Sequence, residues 1–417
     1  MSFSANVEKI KPSATMAVSA LAKRLRAEGR DVVDLSAGEP DFETPGFISD
    51  AAIAGIREGK TRYTPPVGMP DLRKAIARAL SERAGRDLDW QGVVVTSGAK
   101  QALFNANFCL FGPGDEVLIG APYWTSYPEI VTLARATPVP VMGSEERDFR
   151  LTPEDLERVW TPKTKGLIYS SPSNPTGSVY LQDELRSMIE WARDRDVWVI
   201  ADEIYRRISF GDDRGTPAPG ILELPAGSLG PKFVLVDGAS KALAMTGWRL
   251  GFSYCDPVVA KELGAVQSHV SSNASTPSQV GVLAAFTDRE RTDEAVREMV
   301  VAFRRRRDLV TRLFDELLPE FAYVKPMGAF YLFFRVDSAF TEEIGNSTKF
   351  CSWMLEETGV ALVPGSAFGD DRWVRMSYAA ADAVLDDGIR RIARALARLV
   401  AQTSRSAPRA AARQPAS

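Results

Sequence analysis

Histidine is nearly missing from this 417-residue chain, which carries a single one, His269. A Ser-His-Asp or Cys-His nucleophile, or a histidine-based metal site, would have to be built on that residue, and its setting, VQSHVSSN, suits none of them. Cysteine is almost as scarce. Cys109, Cys255 and Cys351 lie far apart in apolar stretches without C-x-x-C spacing, which argues against metal or redox work and predicts buried thiols in a reducing compartment. No apolar run reaches the roughly 18 residues of a membrane span, and MSFSANVEKIKPSATM lacks the apolar core of a secretion signal, so a cytoplasmic protein without a membrane partner is expected. An excess of one charge is missing too: 51 Lys and Arg face 54 Asp and Glu, a net charge of -3, which gives no general attraction to nucleic acid. Phosphate-loop, dinucleotide-loop and G-x-S-x-G signatures are absent.

What is present is a soluble composition, 45% hydrophobic, long enough for two or three structural units. From about residue 46 to 255, strand-like runs alternate with helical ones, the pattern of an α/β domain with a mostly parallel sheet. The runs are GVVVT (92–96), DEVLIG (115–120), KGLIYS (165–170), DVWVIA (196–201), KFVLVDG (232–238) and RLGFSYC (249–255). After about residue 286 a long amphipathic helix begins, and its RRRR run (304–307), flanked by acids, reads as a solvated face rather than a nucleic-acid patch. The organisation expected is an N-terminal arm with part of a small domain (1–45), a large domain (46–285), a smaller α+β domain (286–400) and a disordered tail (401–417).

Ligands of open α/β sheets bind beyond the carboxyl ends of the strands, so the residues there are read as a set. They are Ser97-Gly98-Ala99-Lys100, a small-residue turn opening a helix; Trp124, a flat ring; Asn174, directed by the SPSNPTG turn; Asp202-Glu203-Ile204-Tyr205; and Ser240-Lys241, followed by Arg249. A helix N-terminus and an arginine suit a phosphate. An indole suits stacking, and a buried carboxylate needs a cationic partner. A desolvated lysine has its pKa lowered and can form a Schiff base. Each signal taken alone also fits a turn or a core residue; together they are the parts of a pyridoxal phosphate site.

The segments YTPPVGMPDLRKAI, TSGAKQALFNA, APYWTSYPE, SPSNPTG, ADEIY, SKALAMTGWRLG and VRMSYA, in this order over about residues 10 to 398, resemble the fold-type I, class I aminotransferases. The likeness is nearest to their bacterial aspartate/prephenate branch. It implies a three-layer large domain with a mostly parallel seven-stranded sheet plus a smaller α+β domain, a homodimer with shared active sites, and pyridoxal 5'-phosphate as cofactor. It also implies residue roles. Lys241 would hold the cofactor and move the proton, Asp202 would pair with the ring nitrogen, Tyr205 and Asn174 would bind the ring oxygen, and Trp124 would stack. The backbone of Ala99 and Lys100, with Arg249 and Tyr63 of a second subunit, would hold the phosphate. Arg375 would clamp the substrate α-carboxylate beside Gly38.

The same branch implies that Lys100 reaches a second substrate carboxylate and that Lys11, Ser13 and Thr15, in KPSAT, serve the acidic end of the pocket. Lys11 also fits a solvated residue on a mobile arm. Transamination between aspartate and 2-oxoglutarate is expected, with prephenate as an additional substrate. The alternatives are an aromatic or neutral amino-acid aminotransferase or a β-lyase on the same scaffold, and more distantly a non-catalytic sensor domain. Three positions depart from the pattern: Ser170 replaces an asparagine often seen there, Arg207 takes a place where histidine is common, and Gly238 stands where some relatives have a phosphate-binding serine. Gly238 leaves one phosphate donor in doubt, with Ser240 as an uncertain substitute.

Overall fold

The computed structural model describes residues 5–12, 14–212 and 215–406. Seven strands form its main sheet: β1 (Val93–Thr96), β2 (Glu116–Ala121), β3 (Thr137–Met142), β4 (Thr164–Ser170), β5 (Trp198–Asp202), β6 (Phe233–Gly238) and β7 (Gly251–Cys255). Their spatial order is β1-β7-β6-β5-β4-β2-β3, with β7 antiparallel to both neighbours and the other pairings parallel. The central strands are buried on both faces, which is why they read as continuous Val, Ile and Leu runs rather than alternating ones.

Strand β3 is not legible as a strand in the sequence because TPVPVM carries two prolines, which cannot donate ladder hydrogen bonds. Its place at the sheet edge makes those missing donors tolerable.

Helices cover both faces. One face holds α3 (Ala99–Leu110) and α4 (Tyr127–Leu133), whose Leu103, Ala106, Ile130 and Val131 pack on Val94, Ile168, Ile200 and Val236. The other takes α2 (Pro70–Ala84) and α5 (Gln182–Asp194). In α5, Leu185, Met188, Ile189 and Ala192 recur at helical spacing and are buried, the three larger side chains each contributing on the order of 1.5–3 kcal/mol. Preceding these in the chain, α1 (Ala14–Ala27) leads to Val33–Asp34, which pairs in parallel with Val360–Ala361.

The chain then enters α6 (Arg289–Leu317), and an antiparallel sheet follows, ordered β10-β11-β9-β8, from β8 (Tyr323–Val324), β9 (Tyr331–Arg335), β10 (Val363–Pro364) and β11 (Trp373–Ser377). Helix α7 (Asp382–Ser406) closes the described chain. It continues past residue 401, where the tail was expected to begin, since Ala401 and Gln402 are good helix formers. Residues 407–417 lie outside the described residues.

The RRRR run is not a solvated face. Arg306 and Arg307 are buried, Arg306 in a two-pronged ion pair with Asp41 (2.6 and 2.8 Å) and Arg307 donating to the Pro326 carbonyl (3.0 Å). Adjacent charges say nothing about which side of a helix meets protein, and α6 is covered at this point by the 41–42 segment, with Phe42 under the Arg306 guanidinium. Among the described residues no helix is long and apolar enough to cross a membrane.

Candidate active site

The carboxyl ends of β1, β2, β4, β5 and β6 open into one cavity of about 470 Å³. Lys241 sits in the turn after β6, its Nζ donating to the Gly38 carbonyl at 2.6 Å and lying 5.7 Å from the centre of the Tyr205 ring. Burial is the main cause that lowers its amine from 10.5 to about 8; Arg375 and Arg249 push the same way, while Glu39 and Asp202 oppose. Asp202 ends β5. Its Oδ2 accepts from the Tyr127 hydroxyl (2.7 Å) and its Oδ1 from the Ile204 N–H (3.2 Å), yet desolvation still raises the carboxyl to about 6. Among the described residues it forms no ion pair, which leaves it ready for a cation.

Arg375, on β11, is 1% exposed and has no acidic partner among the described residues. Its Nη1 donates to Asn174 Oδ1 (3.0 Å) and its Nη2 to the Ser36 carbonyl (2.8 Å), while Nε makes no hydrogen bond. The guanidinium is sandwiched near Tyr331 (4.4 Å) and Phe368 (5.1 Å), and burial lowers its pKa. Tyr205 and Tyr331 share a hydroxyl–hydroxyl hydrogen bond of 2.8 Å beside it.

The opposite corner is built from backbone. Gly98 caps α3 at φ +83°, and no side chain of the described residues caps the helix, which leaves the N–H groups of Ala99 and Lys100 free for an anion. Arg249 faces this turn from a left-handed φ of +54°, and a Cβ on Gly98 would lie 2.6 Å from its Nη2. Ser240 lines the same cavity. Lys100 places its ammonium 4.8 Å from the Trp124 ring, with its pKa lowered by burial and then by Arg249.

The profile of the aminotransferase class I and II family matches residues 30–392. The chain belongs to that family. The aminotransferase is 40% identical to a probable aspartate/prephenate aminotransferase of Aquifex aeolicus (94% of this chain, 97% of that one). It is also 40% identical to an aspartate aminotransferase of Geobacillus stearothermophilus (94% and 98%). Among solved structures, aspartate aminotransferase from Thermus thermophilus with maleate superposes with a TM-score of 0.88 at 37% identity, covering 94% of this chain and 99% of that one.

Class I aminotransferases depend on pyridoxal phosphate. The aminotransferase's residues fit it: an uncapped helix start and an arginine stand where a phosphate would bind, in a cradle that a Cβ at Gly98 would fill. A lysine of lowered pKa and an acid awaiting a cation lie deeper. Of the residues expected from sequence, Gly38, Ala99, Lys100, Trp124, Asn174, Asp202, Tyr205, Ser240, Lys241, Arg249, Arg375 and Thr15 all line this one cavity.

Others do not. Tyr63 is 88% exposed and outside its own chain's cavity. Lys11 is exposed, its backbone N–H donating to Glu129 (3.1 Å), and does not line the cavity, whereas Met16, Ser19 and Lys23 of α1 do. The α1 helix, rather than the segment before it, walls that side. Ser13 lies outside the described residues. Gly238 has no room for a serine: a Cβ there would meet Gly251 Cα at 2.8 Å. Two contributors carry no sequence signal of their own. Tyr127 stands inside the APYWTSYPE motif with nothing to mark it as a partner of Asp202, and Tyr331 is hidden in the apolar run GAFYLFFRV, where nothing local separates a core ring from a site ring.

Proposed function

We propose that the chain exchanges an amino group between aspartate and 2-oxoglutarate, as a homodimer in which each active site takes Tyr63 from the second copy. The observation carrying this reading is Arg375, a buried guanidinium with no counter-ion among the described residues, in one cavity with a second cation, Lys100. A dicarboxylate supplies a partner to each. Uncompensated burial of an arginine costs several kcal/mol, which a ligand carboxylate offsets when it forms the forked pair.

When bound, pyridoxal phosphate supplies an aldehyde for the substrate amine and a ring that accepts electrons. Arg375, held by Asn174 and Ser36, orients the α-carboxylate and thereby fixes which α-carbon bond faces Lys241. Lys241 Nζ, with its pKa lowered to about 8, takes the proton from that carbon as general base. Asp202, kept in place by Tyr127, would hold a proton on the ring nitrogen. Tyr205 would bind the ring oxygen, and Trp124 would stack on the ring. The backbone N–H groups of Ala99 and Lys100, with Arg249, would hold the phosphate.

A second substrate, prephenate, is favoured by the α1 side of the cavity, where Thr15, Met16 and Ser19 form a wall of mixed polar and apolar groups and Lys23 adds a cation. Steady-state assays of aspartate, glutamate, prephenate, alanine, phenylalanine and cystathionine test both readings. Efficient turnover of alanine or cystathionine with none of aspartate would sink the first; turnover of aspartate with none of prephenate would remove the second.

A further inference from the structure

A second cavity, also of about 470 Å³, lies behind the lysine turn, between α2, β6 and the N-terminal half of α6. Ser240 and Lys241 line the first cavity; Ala239, Ala242 and Leu243 of the same turn line the second. One short turn therefore separates two equal spaces, and the established chemistry uses only one of them.

The second cavity has an apolar side made by Leu80, Leu243, Phe252, Phe286, Val296 and Val300. Its polar side holds five arginines, each with an acidic partner: Arg83 with Glu203, Arg206 with Glu223, Arg207 with Asp293, Arg289 with Glu82 and Arg297 with Glu294. Asp237 is the carboxylate left over. In the sheet Asp202 is paired with Val236, so Asp237, one residue on, projects from the opposite face, towards Phe252 and this cavity. Its Oδ1 accepts the Gly238 N–H (2.7 Å), and it has no ion pair among the described residues. Burial raises its carboxyl to about 7, with Glu203 pushing up and Arg83 and Arg206 pulling down.

A bare cation would leave the spare donors of Arg207 unused, and a bare anion would leave Asp237 unmatched. A molecule carrying both charges meets both needs. Among the described residues Arg207 uses only Nη2, on Asp293, which leaves Nε and Nη1 as donors at the rim. We infer that this cavity binds a small zwitterion, an α-amino acid with a bulky apolar side chain, its ammonium on Asp237, its carboxylate on Arg207 and its side chain against Phe252, Phe286 and Val296. Such a ligand presses on the turn that carries Lys241 without entering the active site.

The test is calorimetric titration of the cofactor-loaded enzyme, held in saturating maleate to occupy Arg375, with L-phenylalanine as probe. One phenylalanine per chain is expected, with 2-phenylethylamine and 3-phenylpropanoate, each lacking one charge, at least about tenfold weaker. Asp237→Asn should weaken phenylalanine about tenfold, and Val296→Trp, which fills the apolar side, should abolish binding, both with kcat/KM for aspartate within about twofold of wild type. No heat with the wild-type enzyme, equal binding of the single-charge analogues, or binding unchanged in Asp237→Asn each overturns the inference. The asparagine variant keeps the shape and the Gly238 hydrogen bond, so it decides the matter even if the tryptophan variant misfolds.

Discussion

In the proposed mechanism two side chains, Lys241 and Asp202, carry the chemistry, and each can be tested by substitution. Lys241→Ala should lower kcat by at least about 10³-fold and remove the visible absorbance of bound cofactor while leaving circular dichroism unchanged. Retained turnover would assign the proton transfer elsewhere. Asp202 offers a test without cofactor. Because burial raises its carboxyl from 3.8 to about 6, the fold favours the protonated form, so this contribution is present below pH 3.8 and lost as pH rises through about 6. Asp202→Asn does not titrate. Denaturant melts of the cofactor-free proteins should show the variant gaining roughly 3 kcal/mol on wild type between about pH 4 and 7; parallel stabilities would show a carboxyl that is not held against its charge. At this scale the sequence was legible wherever a strand end imposed a position, as for Lys241, Asp202 and Asn174. Tyr331 was not legible, because its contact with Tyr205 joins residues 126 apart in sequence.

The start of α3 shows how an element makes a site. Gly98→Ala would put a methyl group 2.6 Å from Arg249 Nη2 at a φ of +83°. The arginine tip can swing away, so the stability cost should stay near 1–2 kcal/mol, while cofactor affinity should fall about tenfold or more as the phosphate grip opens. Equilibrium dialysis of pyridoxal phosphate, run beside urea melts, separates the two effects; unchanged affinity would remove this turn from the phosphate site. Elements with plain periodicity, such as α5 and β5, could be read directly. Strand β3 could not, since its prolines are acceptable only at an edge, and α6 hid its buried arginines because its covering partner, the 41–42 segment, is distant in sequence.

At the scale of the molecule, Asp41 and Arg306 tie the segment after Gly38 to α6, and Asp382 of α7 lies 3.6 Å from the same guanidinium. Asp41→Ala removes the forked partner of a buried arginine and should cost about 3 kcal/mol in urea melts; a loss under about 0.5 kcal/mol would show that Asp382 suffices. The proposed sharing of Tyr63 between two copies predicts complementation. Lys241→Ala and Tyr63→Ala homodimers should each be impaired, and subunit exchange between them should recover about a quarter of wild-type activity, since half the dimers then hold one intact site. No recovery despite confirmed exchange would place Tyr63 outside the neighbouring site.

The chain's own order of residues determined the strand runs, the glycine turn, the lysine and the aspartate, because local spacing alone puts them at strand ends and helix starts. Folding decided what each meets: Arg375 with Asn174 and Ser36, Asp202 with Tyr127, Asp237 facing away from Asp202, and Lys11 outside the cavity that α1 walls. Such pairings depend on which faces of distant segments are pressed together. Burial then sets their charge, moving a lysine down to about 8 and two aspartates up to about 6 and about 7.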